Sequence, residues 1–203
     1  MTALELANEA LLRLGVAPIS SFADGTDVAN NVVRLFVPTM NTLTIEGDWH
    51  FAKKRDVLSE NTTVTNLTNH PYAYDPPADA LEIVSMKPAD IGFEIENGVL
   101  YTEAEPDAAN NMPSVLYRAR VCELVGGDPQ IITGITPSQL FETAFVVRLA
   151  AKLAMKLRAS MQLTAQLQQE AQYYLQIGNL MAISETPGNQ SEAFTFLGGG
   201  GGE

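Results

Sequence analysis

Apolar residues recur at helical spacing near both ends of the chain and at strand spacing in the middle. Thr2 with Glu5 three residues on forms a capping-box signature, and Leu4, Ala7, Leu11 and Leu14 then make one stripe. Gly15 stops this first helix and Pro18 prevents its resumption. A second helix starts between Asp24 and Asp27, with Val28, Val32, Leu35 and Phe36 at helical spacing. Pro38 predicts a kink or a break near Val37, and Met40, Leu43 and Ile45 carry the pattern to Gly47. The middle reads differently. Residues 81–86 form a strand candidate, and Phe93-Glu94-Ile95-Glu96 alternates before Asn97-Gly98, the strongest hairpin signal in the chain. Residues 115–121 make a last strand, and Gly126-Gly127-Asp128-Pro129 closes the region, so an antiparallel sheet of three to five strands is expected. Thr136 then caps a helix with Pro137 at its first position, and Leu140, Ala144, Val147, Ala151 and Ala154 mark a narrow buried face. The chain either bends at Ala159-Ser160 into a last helix or runs straight through. That last stretch is polar at Gln162, Gln166, Gln169, Gln172 and Gln176 and apolar at Leu163, Leu167, Tyr174 and Ile177.

These elements predict an α+β protein: a bundle of long helices, two N-terminal and one or two C-terminal, with a central antiparallel β region. The expected divisions are residues 1–47 and 136–185 for the helical bundle, 48–125 for the β region, and 186–203 for an extended C-terminal tail.

The pattern changes at Gly47-Asp48-Trp49-His50-Phe51-Ala52-Lys53-Lys54-Arg55, which holds the only Trp and the densest basic cluster. Trp49 and Phe51 alternate around His50, so an extended segment would place both rings on one face. They are expected to pin the helical part to the β part, each ring burying roughly 150–250 Å². The competing function is a nucleic-acid contact, with the rings stacking bases and Lys53, Lys54 and Arg55 holding phosphates. Three basic residues are too few to carry strong phosphate binding alone.

Charge sharpens the picture. The net charge is −12, and from Asp75 to Asp107 nine acidic residues face one basic residue, Lys87. Such a surface repels a polyanion, which excludes an ordinary basic DNA- or RNA-binding domain but suits a surface along which DNA slides. Arg148, Lys152 and Lys156, at fourfold spacing, share one helical stripe that is either a solvated face or a contact for an acidic neighbouring chain. Cys122 stands alone and reads as a buried, inert thiol. The N-terminal residues lack a signal-peptide pattern and no run approaches the roughly 20 apolar residues of a membrane span. The expectation is a soluble protein made in a reducing cytoplasm, without membrane contact.

No catalytic set stands out, and the chain is expected not to be an enzyme and to carry no cofactor or metal. His50 and His70 lack ligand-spaced partners, and the glycines at 198–202 lack the Lys-Ser/Thr of a phosphate loop. The pairs Glu94/Glu96 and Glu103/Glu105 resemble a two-carboxylate site only in spacing; a solvent face is the preferred reading.

Four segments together carry a resemblance. They are Ala10-Leu11-Leu12-Arg13-Leu14-Gly15-Val16-Ala17-Pro18-Ile19-Ser20-Ser21; Trp49-His50-Phe51-Ala52-Lys53-Lys54-Arg55; Tyr72-Ala73-Tyr74 with Pro77-Ala78-Asp79; and Phe141-Glu142-Thr143-Ala144 through Leu149-Ala150-Ala151-Lys152-Leu153-Ala154. In this order they resemble the tail tubular protein A, or head-to-tail adaptor, family of short-tailed bacteriophages. The likeness spans residues 3 to about 180, with Pro76 departing from the Leu expected before Pro-x-Asp. It implies a structural virion protein at the head–tail junction, made in the host cytoplasm. It implies a homo-oligomeric ring, typically of twelve copies, between the portal protein and the tail nozzle protein. The helices would meet the portal and the β part would face the tail. DNA would pass through the centre without sequence-specific binding. On that basis Arg148, Lys152, Lys156, Phe194, Phe196 and Leu197 become candidate portal or neighbour contacts. Glu94, Glu96, Glu103, Glu105 and Asp107 become the candidate acidic surface of the DNA passage or tail face. Residues 187–203, ending in five glycines and Glu203, hold too little apolar surface to order alone and are expected to need a partner. The alternatives are a non-viral or monomeric soluble binding module and an enzyme with an unrecognised carboxylate site.

Overall fold

In the computed structural model, residues 1–65, 68–89, 91–106, 113–157 and 159–184 are described. Among them the protein is α+β, with four helices and nine antiparallel strands. The chain divides into two compact units, one of residues 1–51 with Val121 onward, the other of Ala52–Arg120.

In the first unit, helix α1 (Ala3–Arg13) opens on the complete capping box of Thr2 and Glu5. It closes with Gly15 at φ +67°, whose N–H donates to Leu12 O while Val16 N–H donates to Leu11 O, the paired bonds of a Schellman end. Its buried stripe is Ala3, Leu6, Ala7, Ala10 and Leu11, so the helix is turned relative to the expected one and Leu4 and Leu14 are only half-buried. Helix α2 (Asp27–Glu46) is capped by Thr26 and runs unbroken through Pro38. Pro38 and Arg34, whose carbonyl loses its partner there, are both exposed, so water can satisfy that oxygen.

Helix α3 (Gln139–Lys156) is capped by Ser138 rather than Thr136, its hydroxyl accepting from Phe141 N–H at 3.3 Å. Its buried face is not narrow. Phe141, Phe145, Val146, Leu149 and Leu153 are fully buried along with the expected alanines, because α3 packs against α1, α2 and α4 at once. A helix apolar nearly all round belongs inside such a unit. Phe36 of α2 meets Phe145 edge-on at 4.7 Å. The helix does not run straight through: α3 ends at Lys156, and α4 (Met161–Ser184) packs back along α3. A hairpin of β8 (Cys122–Val125) and β9 (Asp128–Ile131) belongs to this unit and touches α2. Gly126-Gly127 therefore does not end the β structure but turns within it: both glycines have positive φ, as a two-residue type I′ loop requires.

The second unit holds two sheets rather than one. Strands β1 (Lys53–Val57), β7 (Ser114–Ala119) and β4 (Ala80–Lys87) form one, ordered β1-β7-β4. Strands β2 (Ser59–Glu60), β3 (Tyr72–Asp75), β6 (Val99–Thr102) and β5 (Phe93–Glu96) form the other, ordered β2-β3-β6-β5. Asn97 at φ +50° and Gly98 at φ +80° make the β5–β6 turn as the sequence demands. Both sheets contribute to a single core of Leu58, Tyr74, Met86, Leu100, Ala104, Val115, Tyr117 and Ala119.

No helix among the described residues is long and apolar enough to cross a membrane.

Candidate functional site

Trp49 lies in the helical unit at 5% exposure. It is not on an extended segment: after Gly47 ends α2, residues His50–Ala52 form a 3-10 turn and the strand starts only at Lys53. Both rings nevertheless converge, but on Phe141 of α3, at 5.0 Å for Trp49 and 4.9 Å for Phe51, both edge-to-face. The indole N–H donates to Leu43 O at 2.8 Å. Two glycines clear the space. A Cβ at Gly178 in α4 would lie 2.8 Å from indole Cζ3, and one at Gly47 would strike the other end of the ring. Asp48 N–H donates to Asn179 Oδ1 at 2.9 Å beside this contact. The aromatic pair thus fastens α4 and α3 to the end of α2, and these neighbours are all helical. Gly178 escaped the sequence reading, although a glycine inside a long helical run, which costs about 1 kcal/mol against Ala, signals a packing need.

The β unit has its own junction at Asp79. Its carboxylate accepts from Lys54 Nζ at 2.6 Å and from Tyr117 OH at 3.0 Å, and its carbonyl accepts from Arg120 N–H at 2.7 Å. Burial opposes the charge on Asp79, but the Lys54 and Tyr117 hydrogen bonds outweigh it and hold the carboxyl below its usual range. Burial, then Asp79, pushes the Tyr117 phenol up. Tyr74 donates its hydroxyl to Ala104 O at 2.7 Å inside the core, and burial lifts its pKa to about 12. Lys54 and Asp79 come from two different segments of the resemblance, and the structure brings them into contact.

No protein-family model matches the chain, and no curated protein is similar to it.

Arg148 is engaged within the chain: its guanidinium grips the carboxylate of Glu46 in α2 with two bonds, one of them 2.8 Å. Lys152, one turn on, is half-buried; burial first, and Arg148 second, pull its pKa down, while Glu46 pulls the other way. Lys156 is exposed. Arg148 and Lys152 line a groove of about 700 Å³ between α3 and α4, whose far wall carries Gln168, Gln169, Gln172 and Tyr173. The expected polar and apolar sides of α4 largely hold, with Leu167 and Ala171 buried and the named glutamines exposed. The sequence reading overlooked the apolar residues among them: Tyr173 is 60% and Leu180 67% exposed. Glu170 is the only charged residue in the 24 of this helix, and Arg13 of α1 holds it at 2.8 Å. Apart from this paired carboxylate, α4 carries no charge.

Glu94 and Glu96 are exposed on β5, an edge strand, and Glu103 and Glu105 are exposed just after β6. Asp107, Phe194, Phe196 and Leu197 lie outside the described residues. Cys122 is buried, and burial pushes its thiol up to about 12, which leaves it unreactive. Among the described residues, no group of three or more His, Cys, Asp or Glu is placed to hold a metal ion.

Proposed function

We propose that the protein is a structural, ring-forming head-to-tail adaptor of a short-tailed phage virion, and not an enzyme. About twelve copies would join the portal to the tail nozzle and form part of the DNA passage. The observation that carries this is the exposed face of α4. A free surface ordinarily interleaves charges of both signs. Here the exposed side chains of α4 among the described residues, in a chain of net charge −12, are amides, small residues, Tyr173 and long apolar groups, and the one carboxylate, Glu170, is half-buried and held by Arg13. A face of that kind suits burial against protein more than water. The ordered segments that resemble the adaptor family supply the identity of the assembly. In this reading the helices form the bundle that meets the portal, and the β unit, with its acidic surface, faces the tail and the passing duplex. The extended residues 186–203, with Phe194, Phe196 and Leu197 as anchors, dock on the portal.

The test is a mass measurement of the purified chain alone and mixed with purified portal rings. A complex of about one ring of this chain per portal is expected, and its removal of residues 188–203 should weaken attachment without unfolding the protein. A chain that stays monomeric alone and does not bind the portal rings would replace the adaptor with a monomeric binding module.

A further inference from the structure

The groove between α3 and α4 sets one ammonium against a row of amides across small and apolar side chains such as Ala151, Met155 and Ala165. One wall holds Lys152, half-buried and, among the described residues, without an ion pair, since the nearby Glu46 carboxylate is gripped by Arg148. The other wall is a row of glutamine amides, Gln168, Gln169 and Gln172, each able to donate and accept. Ala151, Ala165 and Ala171 keep the groove open enough for a backbone to come close. An ammonium that is partly desolvated and unneutralised costs stability unless a carboxylate arrives. The same chain offers one. Strand β5 is the outer strand of the sheet β2-β3-β6-β5, so among the described residues its outer edge pairs with no strand and presents N–H and C=O groups. Glu94 and Glu96, both exposed, stand on one face of that strand, with Ile95 between them 46% exposed.

We propose that this groove receives the β5 edge of a second copy of the chain, with Lys152 facing the neighbour's Glu94 and Glu96 and the glutamines meeting its backbone. The inference rests on the ring reading and specifies which surfaces join. The two surfaces are different, so the contact is heterologous and repeats from copy to copy, which closes a ring when the rotation per copy allows. Of the acidic side chains assigned to the passage, Glu94 and Glu96 are thereby assigned to the joint between copies, and Glu103 and Glu105 remain for the passage. A second copy fits better than a nucleic acid here, because the charge match is to a carboxylate and the chain carries its own surplus of them.

Charge exchange tests it. Lys152→Glu and the pair Glu94→Lys with Glu96→Lys should each weaken assembly about tenfold or more, measured by mass at low salt with and without portal rings. All three substitutions in one chain, or a mixture of the two variants, should restore it. Lys152→Gln, which spares the Arg148–Glu46 pair, should weaken assembly less and flatten its salt dependence. Folding is checked by circular dichroism. If the unaltered chain assembles and every charge variant assembles equally well, the groove is not the joint and the adaptor reading stands. If the unaltered chain forms no assembly in either setting, both fall.

Discussion

At the scale of single residues, Trp49 and Gly178 form a couple whose energetics run against helix propensity. Replacing an interior helical glycine by alanine ordinarily stabilises, by about 1 kcal/mol. At Gly178 the added Cβ meets the indole, so the sign should reverse and Gly178→Ala should lower the unfolding midpoint. Trp49→Ala removes a buried ring and should cost roughly 3–5 kcal/mol. In the Trp49→Ala background the collision is gone, and Gly178→Ala should become neutral or stabilising. Urea denaturation of the four proteins checks this as a double-mutant cycle. Additive effects would show that the ring and the glycine do not meet. The importance of Trp49 was legible in the sequence, since a lone tryptophan at a pattern change has few other uses. Its geometry was not. Alternation around His50 suggested an extended segment, but Gly47 leaves α2 in an extended conformation and a 3-10 turn follows, which periodicity cannot foresee over so few residues.

Among elements, the Asp79 junction ties the turn before β4 to strands β1 and β7 through Lys54 and Tyr117. Because the fold lowers the Asp79 pKa, the unfolded chain binds its proton more readily. The junction's contribution is therefore present above the unfolded carboxylate value, near 4, and is lost as pH falls through the lower folded value. Asp79→Asn should reduce stability at pH 7 and make the remaining stability less steep below about pH 4. Both Asp79 and Lys54 are about a third exposed, so the effect is modest and shrinks with salt. Midpoints of unfolding at pH 7 and pH 3, for both proteins, decide it; identical acid slopes would remove Asp79 from the account. Neighbouring elements show what sequence pattern can reach. The β5–β6 hairpin was readable because Asn-Gly forces one turn type. The β8–β9 hairpin was missed although Gly126-Gly127 belongs to the same class, because Pro129 two residues later reads as a strand breaker. It sits instead on a two-stranded ribbon, where one edge needs no donor. The division into two sheets was also hidden: which strands pair depends on contacts such as Lys54 with Tyr117, far apart in sequence.

For the whole molecule, charge bears on the proposed passage of DNA. The segment from Asp75 to Asp107 holds nine acidic residues against Lys87, and Glu103 and Glu105 stand exposed within it. Duplex DNA carries one negative charge per about 1.7 Å of axis, so a protein that holds it must release counterions through lysines and arginines. Several basic side chains are already paired with carboxylates: Lys54 with Asp79, Arg118 with Glu82 and Arg148 with Glu46. A conduit benefits from this arrangement, because each attractive contact with phosphate would have to be broken as the duplex moves. The assembled protein should accordingly show no measurable duplex binding at physiological salt, by fluorescence anisotropy with a labelled fragment. Glu103→Lys with Glu105→Lys, which leaves Glu94 and Glu96 in place, should create binding that fades steeply as salt rises. If the unaltered assembly already held DNA tightly and in a salt-sensitive way, the acidic surface would lie away from the passage and serve only solubility.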